Sequence, residues 1–104
     1  MHNAKFFLVV RFTLEPQAEA ELLRWLDGGH VAEVLSQSGF LWCKRLRLGE
    51  HEFAMIYGIE SRAAFEAYEA NAALKAKFAR ERAPFEKQMR IERFFGEAEK
   101  SYAA

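Results

Sequence analysis

From Lys5 to Leu14 the chain alternates with period two. In KFFLVVRFTL, Phe6, Leu8, Val10, Phe12 and Leu14 fall on one side of an extended strand, and Phe7, Val9, Arg11 and Thr13 on the other. Large apolar groups on both sides of its first half predict a central strand covered on two faces. The period then changes. Pro16 suits the first turn of a helix, because its missing N–H would have no partner there, and AEAELLRWL after it consists of helix formers. On a wheel of about 100° per residue, Leu22, Leu23, Leu26, His30 and Val34 share one stripe. His30 is therefore the one position where a group titrating near neutrality is expected on a core-facing side. Gly28 and Gly29 interrupt the helix and leave two readings open: a kink that keeps the wheel in phase, or a break after which a second short helix starts at His30. The helix is expected to stop near Ser36 to Gly39, with Gly39 taking a positive φ.

Period two returns from Phe40 to Leu48. Phe40, Trp42, Lys44, Leu46 and Leu48 alternate with Leu41, Cys43, Arg45 and Arg47, which predicts a half-buried strand with a wetter outer end. Gly49-Glu50 reverses the chain, and HEFAMIYGI returns as the hairpin partner with Phe53, Met55, Tyr57 and Ile59 on one face. Ser61 is a candidate N-cap. The helix after it carries Phe65, Tyr68, Ala72, Ala76 and Ala79 on one stripe, whose small residues would allow close approach to a sheet. Pro84 ends or bends that helix, Met89 to Phe95 reads as a last strand, and the tail from Glu97 to Ala104 frays or adds a helical turn.

The order β-α-β-β-α-β is the split βαβ, or ferredoxin-like, arrangement. Right-handed crossovers put both helices on one face of a four-stranded antiparallel sheet, in a single domain spanning residues 1–104. The other sheet face would carry Phe7, Val9 and large groups of the hairpin. A homodimer closed through that face about a two-fold axis is the predicted cover.

Charge narrows the partners. Fifteen basic and fifteen acidic side chains cancel and are interspersed, so no field is expected to steer the protein onto nucleic acid or an anionic membrane. The longest wholly apolar run, Phe6 to Val10, is too short to span a bilayer, and with only MHNAK before it and Arg and Thr after it a secretory signal is not expected. The single cysteine, Cys43, builds neither an intrachain disulfide nor a cysteine zinc site, which makes a reducing cytoplasmic compartment the expectation. Cys43 itself reads as a small buried hydrophobe rather than a nucleophile. His2, His30 and His51 lack metal-ligand spacing, so no metal is expected. No nucleotide or phosphate motif is present, so no bound cofactor is expected.

Ten Phe, three Tyr and two Trp are many for 104 residues. They predict an aromatic core or rings buried against a partner, and a group that includes Trp25, Trp42, Tyr57, Phe65 and Tyr68 either fills the core or lines a cavity for a flat ligand. Tyr57 and Tyr68 are the better cavity markers, because a buried hydroxyl needs a partner. Arg45 and Arg47, with Arg11 and Arg93, either gather as a spot for a carboxylate or pair as ordinary ion pairs. KAKFARER, Lys75 to Arg82, reads as a water-facing helix end.

The ferredoxin-like pattern, the run WL-x-x-x-H-V-x-E-V-L-x-x-x-G-F from Trp25 to Phe40, Tyr57 in the third strand and F-x-x-Y at Phe65 and Tyr68 together resemble the dimeric α+β barrel superfamily. Within it the chain is similar to the DUF4286 group of uncharacterised bacterial proteins, over most of residues 5–95. The superfamily includes cofactor-independent monooxygenases, lactone isomerases, heme-degrading enzymes and proteins without known catalysis. The resemblance implies a pocket inside each protomer, between helices and sheet, with Trp25, His30 and Tyr68 nearest by helix position and Trp42 or Tyr57 supplied by the sheet.

Two functional readings follow. In the first, the pocket holds a small, partly aromatic or acidic metabolite without turning it over, with Trp25, Trp42 and Phe65 as ligand contacts. In the second, the protein is a cofactor-independent monooxygenase or isomerase, in which His30 removes a proton from a phenolic or enolisable substrate and Tyr57 or Tyr68 steadies the oxyanion. Beside both stands a core histidine bonded to a backbone carbonyl. A His30 that faces a cavity with a tyrosine hydroxyl in reach would favour the enzyme; one sealed by Leu26 and Val34 would not.

Overall fold

Strand β1 (Phe6–Leu14) is the central strand its alternation predicts, paired antiparallel with β3 (Glu52–Ile59) on one side and β4 (Met89–Glu97) on the other. Strand β2 (Phe40–Gly49) adds outside β3, so the sheet order is β2-β3-β1-β4. Helices α1 (Glu19–Trp25) and α2 (Val31–Leu35) connect β1 to β2, and α3 (Arg62–Glu69) and α4 (Ala72–Arg82) connect β3 to β4. The result is the ferredoxin-like β-α-β-β-α-β fold. These features come from a computed structural model that describes residues 3–104, and His2 lies outside them.

The core sits between the sheet and the helices. Phe6, Leu8, Phe12 and Leu14 of β1 and Phe53, Met55, Tyr57 and Ile59 of β3 are buried against Leu22, Leu26, Val34, Phe65 and Phe78 of the helical layer. Each such side chain contributes about 1.5–3 kcal/mol on leaving water. On the opposite face Phe7, Val9 and Ile56 are half-buried, while Phe94 is 54% and Leu46 42% exposed. Among the described residues, no helix is long and apolar enough to cross a membrane.

Two expectations are corrected. The first is the parity of β2. The register jumps from Phe40 opposite Ile59 to Trp42 opposite Gly58, so Leu41 is an extra residue. A bulge of this kind turns the following side chains over: Phe40 joins the core and Trp42 goes to the outer face, where its ring lies on Gly58 so closely that a Cβ there would collide with it. The second is the helix after Ser61, which is two helices. Asn71 leaves helical geometry (φ −78°, ψ 87°) and its side-chain oxygen accepts the Leu74 N–H at 3.1 Å, starting α4 afresh. Ala72, Ala76 and Ala79 consequently face water, and Phe78 takes the buried side.

At Gly28-Gly29 both readings contribute: the chain kinks there, and a second short helix, α2, follows with His30 as its N-cap residue. The Val31 N–H donates across the kink to the Leu26 carbonyl five residues back. Gly29 carries the distortion with φ 155°, a value L side chains rarely adopt. The kink leaves His30 beside Leu26 on the cavity wall. Gly39 has the expected positive φ, 83°. Beyond β4 the tail forms no helical turn; Ala98 donates its N–H to the Lys5 carbonyl at 2.9 Å and the rest is exposed.

Candidate functional site

A cavity of about 120 Å³ opens between the helices and the sheet. Its floor follows from strand register. Tyr57 of β3 lies opposite Leu8 of β1, and in the next inward-facing row Met55 and Arg93 flank Val10, so a phenol and a guanidinium reach the same face two residues apart along the sheet. One wall is the α1–α2 stripe, with Leu22, Trp25, Leu26, His30 and Val34. The other comes from α3 and α4. Tyr68 stands near the end of α3, and Lys75, Phe78 and Arg82 share a face of α4 at spacings of three and four residues.

His30, Tyr57, Tyr68 and Trp25 thus line one cavity. Trp42 and Phe65 do not. Trp42 was turned to the outer face by the Leu41 bulge and sits near Phe7, ring centroids 6.1 Å apart. Phe65 is spent on the core, 5.0 Å from Phe6 and 4.7 Å from Phe95. Nor do the four arginines considered together gather. Arg11 pairs with Glu52, Arg45 with Asp27 at 2.8 Å, Arg47 with Glu19 at 3.5 Å and Arg93 with Glu69 at 2.5 Å.

His30 is held by rings rather than by hydrogen bonds. Trp25 stacks on one face and Phe78 meets it edge-on, with centroids at 4.0 and 4.4 Å. Its Nδ1 is buried and has no hydrogen-bond partner among the described residues. Burial first, and then the positive charge of Arg82, push its pKa down to about 4 against the opposing pull of Glu33. The imidazole is therefore neutral at pH 7. Burial also raises the phenols of Tyr57 and Tyr68, so both remain protonated donors. The Cys43 thiol is pushed up to about 11 by burial and stays uncharged.

The cations escaped the sequence reading because KAKFARER was counted as a solvated face. Lys75, Phe78 and Arg82 share a stripe by their spacing, and the helix restart at Asn71, a residue whose capping preference was the available signal, turns that stripe towards the cavity. On the other side of Trp25 and His30 a shallow outer hollow is lined by Glu33 and Glu81, and Trp25 Nε1 donates to Glu81 at 3.2 Å. Among the described residues no group of three His, Cys, Asp or Glu side chains is placed to hold a metal ion.

No protein-family model matches the chain, and no curated protein matches its sequence. Solved structures do match its fold. One is a protein of unknown function from Nitrosomonas europaea, 23% identical over 100% of both chains with a TM-score of 0.64. A second is a variant of SnoaB, a cofactor-independent oxygenase from Streptomyces nogalater, 20% identical over 95% of this chain and 97% of that one, TM-score 0.73. A third is the ActVA-Orf6 monooxygenase of Streptomyces coelicolor in complex with Nanaomycin D, 15% identical over 97% of this chain and 93% of that one, TM-score 0.74. At such identities the likeness establishes the ferredoxin-like fold that this chain shares with antibiotic-biosynthesis monooxygenases and with uncharacterised proteins, and it extends to the fold alone.

Proposed function

We propose that the cavity binds a small, partly aromatic or acidic metabolite and holds it without turnover. The observation that carries this reading is the meeting of an imidazole with an unpaired buried Nδ1, two phenols and three cationic side chains in one cavity whose remaining lining is apolar. Apolar walls accept a ring, and a few convergent polar groups fix its orientation. An unpaired buried nitrogen costs about 1–3 kcal/mol, and a ligand hydroxyl that bonds to it recovers part of that. The binding reading requires no cofactor and no metal.

The test is thermal unfolding of the wild type, His30→Ala and Tyr57→Phe in the presence of phenol, 4-hydroxybenzamide and 4-hydroxybenzoate. A ligand of the folded state at a hundredfold excess over its Kd stabilises by about 2.7 kcal/mol. We expect at least one probe to raise the wild-type Tm and the two variants to respond less. No shift with any probe, or equal shifts in all three proteins, contradicts the reading.

A cofactor-independent monooxygenase or isomerase is the second reading. It is favoured by one observation, that His30 is neutral and faces the cavity with Tyr57 and Tyr68. Against it, a base whose conjugate acid titrates at about 4 is poorly matched to a phenolic or enolic proton near neutral pH. Oxygen uptake on adding a hydroquinone, lost in His30→Ala, would replace the binding reading by this one.

The same proposal includes a homodimer closed through the outer sheet face, supported by the apolar groups Phe7, Val9, Ile56 and Phe94 there. It also includes a cytoplasmic location, consistent with a single uncharged Cys43 thiol, and kinship with the DUF4286 group through the Trp25–Phe40 run.

A further inference from the structure

We infer that the cavity selects a single aromatic ring bearing a carboxylate, with Arg82 as the carboxylate's partner. This rests on the ligand-binding reading above and narrows it to one class.

The lining contains three cations, Lys75, Arg82 and Arg93, and no carboxylate among the described residues. Two of the three are already answered. Glu69, which does not line the cavity, accepts from Lys75 at 2.8 Å and from Arg93 at 2.5 Å. Arg82 has no carboxylate at ion-pair distance among the described residues. The acidic groups nearest the His30 wall are engaged elsewhere: Glu33 holds Lys77 at 2.6 Å and Glu81 accepts from Trp25 Nε1, both on the side of the outer hollow. Arg82 is half-buried in the last turn of α4, where a guanidinium is less well hydrated than in open water. Its planar fork matches a carboxylate by two parallel N–H donors.

Size sets the other half of the class. A dry cavity of about 150 Å³ accepts benzene, and about 120 Å³ is smaller still, which sets an upper limit of one six-membered ring and excludes two fused ones. Leu22, Leu26, Met55 and Val10 give that ring apolar contact, and the charged head meets Arg82 of the same lining.

The experiment is isothermal titration calorimetry on the full chain with benzoate, benzamide, acetate and 1-naphthoate, repeated with Arg82→Gln and Arg82→Lys. We expect benzoate to bind the wild type at least about tenfold tighter than benzamide, acetate and 1-naphthoate to bind more weakly than benzoate, and Arg82→Gln to bring benzoate and benzamide within about twofold. Arg82→Lys restores part of the difference. Equal affinity of the wild type for acid and amide overturns the carboxylate preference while leaving the binding site standing. Tighter binding of 1-naphthoate overturns the one-ring limit, and binding of neither benzoate nor benzamide removes this inference together with the site. The wild-type comparison decides the matter even where Arg82→Gln fails to fold, which its circular dichroism melt reports.

Discussion

The Trp25 indole lies over the His30 imidazole with ring centroids 4.0 Å apart and planes 23° from parallel. An aromatic pair of this kind contributes about 0.5–1.5 kcal/mol beyond area burial. Here it also fixes where the imidazole points, since Nδ1 has no hydrogen bond to do so. Trp25→Leu keeps an apolar group in the wall and is expected to destabilise by about 1–2 kcal/mol, but it frees the imidazole and removes the indole N–H donated to Glu81. Calorimetry with 4-hydroxybenzamide should show affinity falling about tenfold or more. Unchanged affinity in a folded Trp25→Leu protein would mean that His30 orientation plays no part in binding.

Acid should weaken the fold through His30 in a defined window. Its folded pKa of about 4 lies below the ordinary 6.5, so between those values the unfolded chain holds the proton and the folded one does not. Stability from this group is complete above pH 6.5, declines as pH falls towards 4, and is flat below. For a partly buried ring the loss is about 2 kcal/mol after allowance for solvent screening. Urea denaturation at pH 7 and pH 4.5 should therefore cost the wild type more than it costs His30→Gln. Parallel losses in the two proteins would contradict the buried neutral imidazole.

Asn71 determines which face of α4 meets the cavity. Asn71→Ala removes the acceptor for the Leu74 N–H and is expected to destabilise by about 1 kcal/mol in urea denaturation. Asn71→Asp should retain most of that stability, because the carboxylate accepts the same bond.

Val9 stands on the outer face between Ile56 of β3 and Phe94 of β4. If two copies close through that face, Val9→Glu places an unpaired charge inside the contact and sedimentation should report a monomer from a dimeric wild type. A wild type that sediments as one copy contradicts the proposed assembly.

Much of the architecture was legible because β1 announces both of its faces and the element order leaves few topologies. The failures are single residues that reset a phase. Leu41 slips into β2 as a bulge and sends Trp42 out, and alternation alone cannot register an insertion; the signal was Gly58, whose missing Cβ leaves room for the indole. Asn71 restarts a helix inside a continuous run of helix formers, so Ala72, Ala76 and Ala79 were given the wrong side and Arg82 was left in water. His30 reached the cavity wall by the stripe read from the sequence, because the kink at Gly29 keeps it beside Leu26 even as a second helix starts after it.

The account turns on ligand binding at the His30 wall, and imidazole NMR reads that site directly. In a titration with 4-hydroxybenzoate at pH 7, the His30 ring resonances should move to saturation along the calorimetric binding curve, while those of His51, which is bonded to Glu19 at 2.8 Å outside the cavity, stay in place. A saturable ligand that leaves His30 unmoved would show that the cavity is not where it binds.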